Sequence, residues 1–404
     1  MAGSAGFEAM NANRSGIPRG VWVLGFVSLL GDISSEMIHS LLPLYLTVSL
    51  GASALVVGII EGVAEATALV VRVASGTLSD RLRHRKWITA AGYGLAAAAK
   101  PLFAIAQGAG LVFAARFIDR IGKGIRGAPR DALIADLTPK ESRGAAYGLR
   151  QALDTVGALI GPLIAMALML AWNDNFRAVF WVAVIPAVLS FLLVAVAVKE
   201  PEKPGTDHVF AKGDGTKTWS VPGFSALGGP FWIVVLAGSA LTTARFSEAF
   251  LILRAENVGV PLAYAPLVLG GMSAVYALTA YPVGVLADRM SRTTLLTIGI
   301  AFLVASDIVL ALASGVATLA IGVTLWGLHM GLTQGLLSAM VAETAPADLR
   351  GTAFGVFSLA SGIAMLVASA LAGALWQFVG PAATFWAGAA LAAASFAVTR
   401  VARW

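Results

Sequence analysis

The chain has 404 residues, 58% hydrophobic and only 12% charged, with a net charge of +6 and no cysteine. Soluble domains carry about 25% charged residues, so this composition excludes an ordinary soluble protein. The lack of Cys excludes disulfides, thiol nucleophiles and cysteine metal sites, and four scattered histidines form no metal-binding motif.

Apolar runs of about 18 residues or more recur throughout, each long enough to cross a hydrocarbon core of ~30 Å as a helix. Twelve are predicted, at about 20–49, 53–77, 87–107, 110–134, 143–170, 177–198, 230–254, 262–286, 293–313, 316–341, 350–375 and 380–402. The expected class is therefore all-α, integral to a membrane. The first run is too long and too early for a cleaved signal peptide, and no small-residue cleavage site ends it.

Run one carries Asp32, Glu36, His39 and Pro43 on one helix face, and run two carries Glu61, Glu65 and Arg72 on another. Run four contains the most charged stretch, ARFIDRIGKGIRGAPRDALIAD at 115–136. At about 100° per residue, Arg116, Arg120, Lys123, Gly127 and Arg130 fall on one stripe, flanked by Asp119 and Arg126. Phe117, Ile118, Ile121 and Ile125 occupy the other side. Run five aligns Arg150, Asp154, Gly157 and Gly161, followed by Pro162. The polar, Pro- and Gly-containing stretch KEPEKPGTDHVFAKGDGTKTWSVPG at 199–223 lies near the midpoint and reads as a linker. The expected organisation is 1–198 as one six-helix bundle, 199–229 as linker and 230–404 as a second bundle.

The two sides repeat. GTLSDRLRHRK (76–86) returns as GVLADRMSRTT (284–294) after 208 residues, and DALIADLTPKESRGAAYG (131–148) returns as SAMVAETAPADLRGTAFG (338–355) after 207. Two unrelated segments with nearly the same offset imply a duplicated six-helix half. Charge placement gives the orientation. With a cytoplasmic N-terminus, cytoplasmic tails and loops hold seventeen Lys and Arg, among them Arg81, Arg85, Arg289, Arg292 and Arg400, against Arg177 and Arg254 on the other side. By the positive-inside rule both termini are expected in the cytoplasm, and the chain in the cytoplasmic membrane. The net positive charge thus answers to the membrane and not to nucleic acid.

Six plus six spans, a central linker and the Asp-Arg loop after spans two and eight resemble the major facilitator superfamily over about residues 20–402. The resemblance implies two bundles around a cavity lined by helices 1, 4, 7 and 10. Substrate would sit near the midplane, with access alternating by rocking of the halves. It also implies that the loop of Gly76, Asp80, Arg81 and Arg85, with its copy Asp288, Arg289 and Arg292, latches the outward-open state. Arg116 with Gly122 and Gly124 resembles the helix-4 motif whose arginine contacts a helix-1 acid and bears on proton coupling. Gly157-x-x-x-Gly161-Pro162 resembles the helix-5 hinge of proton-coupled exporters.

A Lys, Arg or Asp at mid-bilayer costs about 3 kcal/mol on insertion scales. A dozen facing lipid would cost roughly 30–40 kcal/mol, against a typical stability of about 5–15 kcal/mol. These groups must therefore pair or face water. Asp32, Glu36 and Arg116 are expected to couple protons, with Arg116 acting on the two acids. Glu61, Glu65, Asp119, Arg120, Lys123, Asp154, Glu248, Trp326, His329 and Gln334 are expected to contact substrate. Arg120 is favoured as an anion-binding residue, while Arg126 and Arg130 are expected to reach the cytoplasmic water. The second half is less charged: at an offset of 207, Arg116, Asp119 and Arg120 become Val323, Trp326 and Gly327.

No GxxxxGK[ST] loop and no HExxH occurs, so neither an enzyme nor a primary pump is expected, and no cofactor or metal. The expected function is proton-coupled export of a small organic or amphipathic solute, with organic-anion import or lipid flipping as alternatives. Expected partners are that solute, protons and membrane lipids, and the chain is expected to act as a monomer.

Overall fold

The computed structural model describes residues 17–82, 84–139, 142–199, 227–287, 290–345 and 350–401, and every regular element among them is helical. Twelve long helices follow one another: α1 Arg19–His39, α2 Ala54–Leu82, α3 Arg85–Ile105, α4 Ala109–Leu137, α5 Arg143–Ala171, α6 Phe176–Ala197, α7 Gly229–Ala244, α8 Pro266–Ala287, α9 Arg292–Ala311, α10 Val316–Thr344, α11 Arg350–Phe378 and α12 Pro381–Val401. Helices satisfy their own backbone, as a hydrocarbon solvent demands. By length and composition ten described spans can cross a membrane. Of the other two helices, α4 carries the charged stretch 115–136, and α12 is apolar over Pro381–Phe396. Most of the expected linker, 200–226, lies outside the described residues.

Two helices are broken, at equivalent places. α1 ends at His39, turns through Ser40 and Leu41, and resumes as Leu42–Leu44 and a π-helical turn Tyr45–Ser49. α7 ends at Ala244 and resumes as Ala249–Asn257, leaving Arg245–Glu248 outside regular helix. Serines partner the freed backbone at that second break. Ser247 N–H donates to Ser369 Oγ of α11 at 3.2 Å, and Ala249 N–H to Ser247 Oγ at 3.3 Å.

The twelve helices have a termini face, where α1 begins, and a far face, where α1 ends. Towards the far face one apolar core joins the first six helices to the last six: Met37, Leu41, Tyr45 and Ile60 share it with Phe246, Phe250 and Ala372. α2 and α11 touch closely there. A Cβ on Gly62 would meet Leu366 Cα at 3.0 Å, and one on Gly373 would meet the Ala54 carbonyl oxygen at 2.7 Å. The far-face arginines fasten helix ends to the seal. Arg254 donates to the carbonyls of Leu310, Ala311 and Ala313 at the end of α9, and Arg177 to that of Ala106. Towards the termini face the cores are separate. One contains Val21, Leu24, Leu133 and Val194, the other Phe231, Val234, Met340 and Val341. The space between them is a cavity closed at the far face.

Candidate functional site

The cavity has a volume of about 510 Å³ and continues into a recess of about 250 Å³ towards the far face. Glu36, Glu65, Lys123, Glu248 and Gln334 line both. Its walls are unequal. The first half supplies Asp32, Arg72, Arg126, Arg130, Arg150 and Asp154, while the second supplies Leu269, Met272, Ser273, Tyr276 and Met330.

α4 is held to its neighbours by a ladder of ion pairs. From the far face inward, Arg116 donates to Glu61 of α2 at 2.7 Å, Lys100 of α3 to Asp119 at 2.8 Å, and Arg120 lies 3.1 Å from Glu65 of α2. Further on, Arg126 stands 3.7 Å from Asp32 and Arg130 lies 3.9 Å from Asp154, which is also paired within α5 by Arg150 at 2.9 Å. Short packing distances make these reaches possible. A Cβ on Gly122 would stand 2.7 Å from the Gly92 carbonyl oxygen of α3, so only glycine lets the two backbones approach. Both partners of the Arg116–Glu61 pair are 1% exposed. A buried pair is weak evidence of stabilisation by itself, but breaking one leaves an uncompensated buried charge.

The geometry revises several expectations. Arg116 touches Glu61, not the helix-1 acids, because α2 stands beside it at that level; Arg126 is the cation beside Asp32. Asp119 faces α3 and is buried against Lys100, so it does not line the cavity. Arg120 borders the recess, but its guanidinium is engaged by Glu65. Trp326 and His329 are fully buried and line neither space. Trp326 packs on Phe246 at 5.5 Å between centroids, and His329 Nδ1 lies 2.8 Å from the Gly299 carbonyl oxygen. Arg126 and Arg130 do not snorkel: Arg126 lies over the Tyr93 ring at 4.3 Å, and Arg130 donates to Ser28 at 2.8 Å. The remaining expected contacts are brought together: Asp32, Glu36, Lys123, Asp154, Glu248 and Gln334 line the cavity, and Glu61 and Glu65 the recess.

Gly157 and Gly161 face α1 at its two acids. A Cβ on Gly157 would stand 3.1 Å from Asp32 Cβ, and one on Gly161 2.9 Å from Glu36 Cβ. Pro162 lies beside Gly270 of α8, 3.5 Å from the Cβ position there. In the expected latch, Arg85 pairs with Asp136 at the end of α4 at 2.6 Å, and Gly76 sits against Ala128. Asp288 and Arg289, and the side chains of Asp80, Arg81 and Arg292, lie outside what is described.

Three residues of consequence were given no role by the sequence. His39 stands 3.6 Å from both Glu36 and Glu61; its place three residues after Glu36 was the available signal. Arg245 borders the recess from the broken part of α7. Lys100 proves to be the partner of Asp119, and its repeat equivalent Asp307 is fully buried with neither carboxylate oxygen hydrogen-bonded among the described residues.

The family model described as Major Facilitator Superfamily matches residues 24–254 and 247–404. The chain belongs to the major facilitator superfamily. It is a non-enzymatic, multi-pass membrane transporter of that type. An uncharacterized MFS-type transporter of Methanocaldococcus jannaschii is 31% identical over 394 residues, covering 95% of this chain and 94% of the relative. The inner membrane transport protein YajR of Escherichia coli K12 is 26% identical over 390 residues, covering 93% and 81%. The crystal structure of the nucleoside transporter NupG superposes with a TM-score of 0.72 at 13% identity, covering 95% and 98%, a likeness of fold. The superfamily architecture gives the cavity its meaning as the path of a small solute.

Proposed function

We propose that this chain is a proton-coupled exporter of a small amphipathic organic solute with an anionic group, working in the cytoplasmic membrane by alternating access. The observation that carries this reading is Lys123. It is the cavity-lining cation of α4 with no carboxylate within ion-pair distance among the described residues, and it reaches both the cavity and the recess. A solute anion would find its counter-charge there, while Met272, Tyr276 and Met330 accept an apolar body. Asp32 and Glu36 are the proposed proton carriers, and Gly157 and Gly161 let α5 slide along them. The positive-inside asymmetry puts the open termini face in the cytoplasm with both termini. The proposed moving bodies are 1–198 and 230–404, joined by 199–229, with the Asp80 and Asp288 loops as latches.

Import of an organic anion would use the same Lys123, so direction needs its own measurement. A thermal-shift screen of charged and neutral solutes on purified protein identifies ligands. Transport into proteoliposomes under imposed pH and voltage gradients then gives direction. Export predicts solute movement opposite to an imposed proton gradient. Transport indifferent to pH at fixed voltage would remove proton coupling, and movement along with protons would support import.

A further inference from the structure

We infer that His39 is the proton relay of this transporter, passing protons between the buried Glu61 and the cavity acid Glu36. The inference deepens the proton-coupled reading above and rests on it. His39 sits where α1 breaks, at the deep end of the recess and directly below the apolar seal. Its Nδ1 lies 3.6 Å from Glu36 Oε2 and its Nε2 lies 3.6 Å from Glu61 Oε2. The two acids differ in access: the Glu36 side chain is 21% exposed and lines the open cavity, while that of Glu61 is 1% exposed. His39 Nε2 and Glu61 Oε1 are both buried without a hydrogen-bond partner among the described residues. An imidazole between an open and a closed carboxylate can accept on one nitrogen and donate from the other. Closing either contact to a hydrogen bond takes a movement of about 0.6 Å.

The charges facing the ring come from four helices. Glu36 is on its own helix, and Glu61 and Glu65 are on α2. Arg120 and Lys123 of α4, with Arg245 and Glu248 of the broken α7, share the recess, and Arg116 holds Glu61 from behind. When the far side opens, Glu61 binds a proton and loosens its pair with Arg116. That proton passes to His39 Nε2, giving an imidazolium. The Nδ1 proton passes to Glu36, which releases it to the cavity. The ring is left neutral with its proton on Nε2, and tautomerisation through water of the recess resets it, Nδ1 taking up one proton as Nε2 gives up another on the same side. One proton has crossed and Glu61 is again ionised beside Arg116. Opening of the far side is thereby tied to the protonation of a group that also holds α2 to α4.

The chain has no native cysteine, so spin labels can be placed at Leu82→Cys and Leu286→Cys, exposed sites at the termini-face ends of α2 and α8. In the otherwise unaltered protein, acidification from about pH 8 to about pH 5, the range in which histidine titrates, is expected to change the ratio of the two distance populations at least ~5-fold. His39→Gln, an amide that cannot titrate, is expected to hold that change below ~2-fold. A pH response kept in full by His39→Gln overturns the relay alone. The lack of any response in the parent overturns proton coupling and the relay together. A second readout does not require the variant to transport. The imidazole ¹⁵N titration of His39, assigned by its loss in His39→Gln, is expected to move in Glu36→Gln and in Glu61→Gln. A titration indifferent to both acids overturns the relay. If His39→Gln does not fold, replacing the other three histidines assigns the signal instead.

Discussion

Gly161 of α5 leaves no room for a side chain opposite Glu36 of α1: a Cβ there would stand 2.9 Å from Glu36 Cβ and 2.8 Å from the Ile33 carbonyl oxygen. The proposed proton-carrying face of α1 is thus covered by a bare stretch of α5 backbone. Gly161→Ala is expected to push the helices apart and to cost about 1–3 kcal/mol, the usual range for overpacking. Gly148→Ala on the same helix has nothing within 4 Å of its Cβ and is expected to be neutral or slightly stabilising, by up to about 1 kcal/mol. Thermal unfolding of the two variants in one detergent compares them. Equal stability would show that α1 and α5 are not tightly packed at Glu36.

Glu61→Gln leaves Arg116 buried without its counter-charge, since both side chains are 1% exposed. A loss of about 3–5 kcal/mol is expected. The double variant Glu61→Gln with Arg116→Met removes both charges and is expected to recover most of it. Unfolding midpoints of the two single variants and the double variant decide. A double variant no more stable than Glu61→Gln would mean that the pair is not the source of the loss.

Lys123→Ala and Arg120→Ala are expected to fail differently. Lys123 faces the cavity without an ion pair among the described residues, so its loss is expected to leave stability nearly unchanged while weakening anionic ligands. Losing one partner of a desolvated charge pair costs about 2–5 kcal/mol, about 30- to 5,000-fold in affinity. Arg120 is paired with Glu65, so its loss is expected to lower stability for all ligands alike, with partial rescue by Glu65→Gln. Ligand-induced thermal shifts with charged and neutral solutes separate the two. Equal weakening of both ligand types by Lys123→Ala would end its assignment to the anion.

Trp326→Ala opens a void beside Phe246 in the core and is expected to cost about 3–5 kcal/mol without changing the order of ligand preference. Trp326→Phe keeps most of the volume and is expected to cost less. A reordered ligand ranking in Trp326→Phe, measured by competition binding, would place the indole in the solute path after all.

The twelve spans, the duplicated halves and the uneven placement of basic residues were legible in the sequence. They follow from local quantities: a run long enough to cross hydrocarbon, an offset of 207 or 208 between copies, and basic residues counted loop by loop. Equally legible was that the charges of α1, α2, α4 and α5 must meet, because their cost in lipid is prohibitive. Which charge meets which emerged only in three dimensions. Arg116, Arg120 and Lys123 share one stripe, yet the first two are taken by Glu61 and Glu65 while Lys123 faces the cavity. Trp326 and His329 occupy a helix the superfamily places around the cavity, but their faces turn into the second-half core. Helical periodicity fixes the angle between side chains on one helix. The height and rotation of that helix against its neighbours come from packing, here from bare backbone at Gly122, Gly157 and Gly161, and a shift of one turn changes every partner.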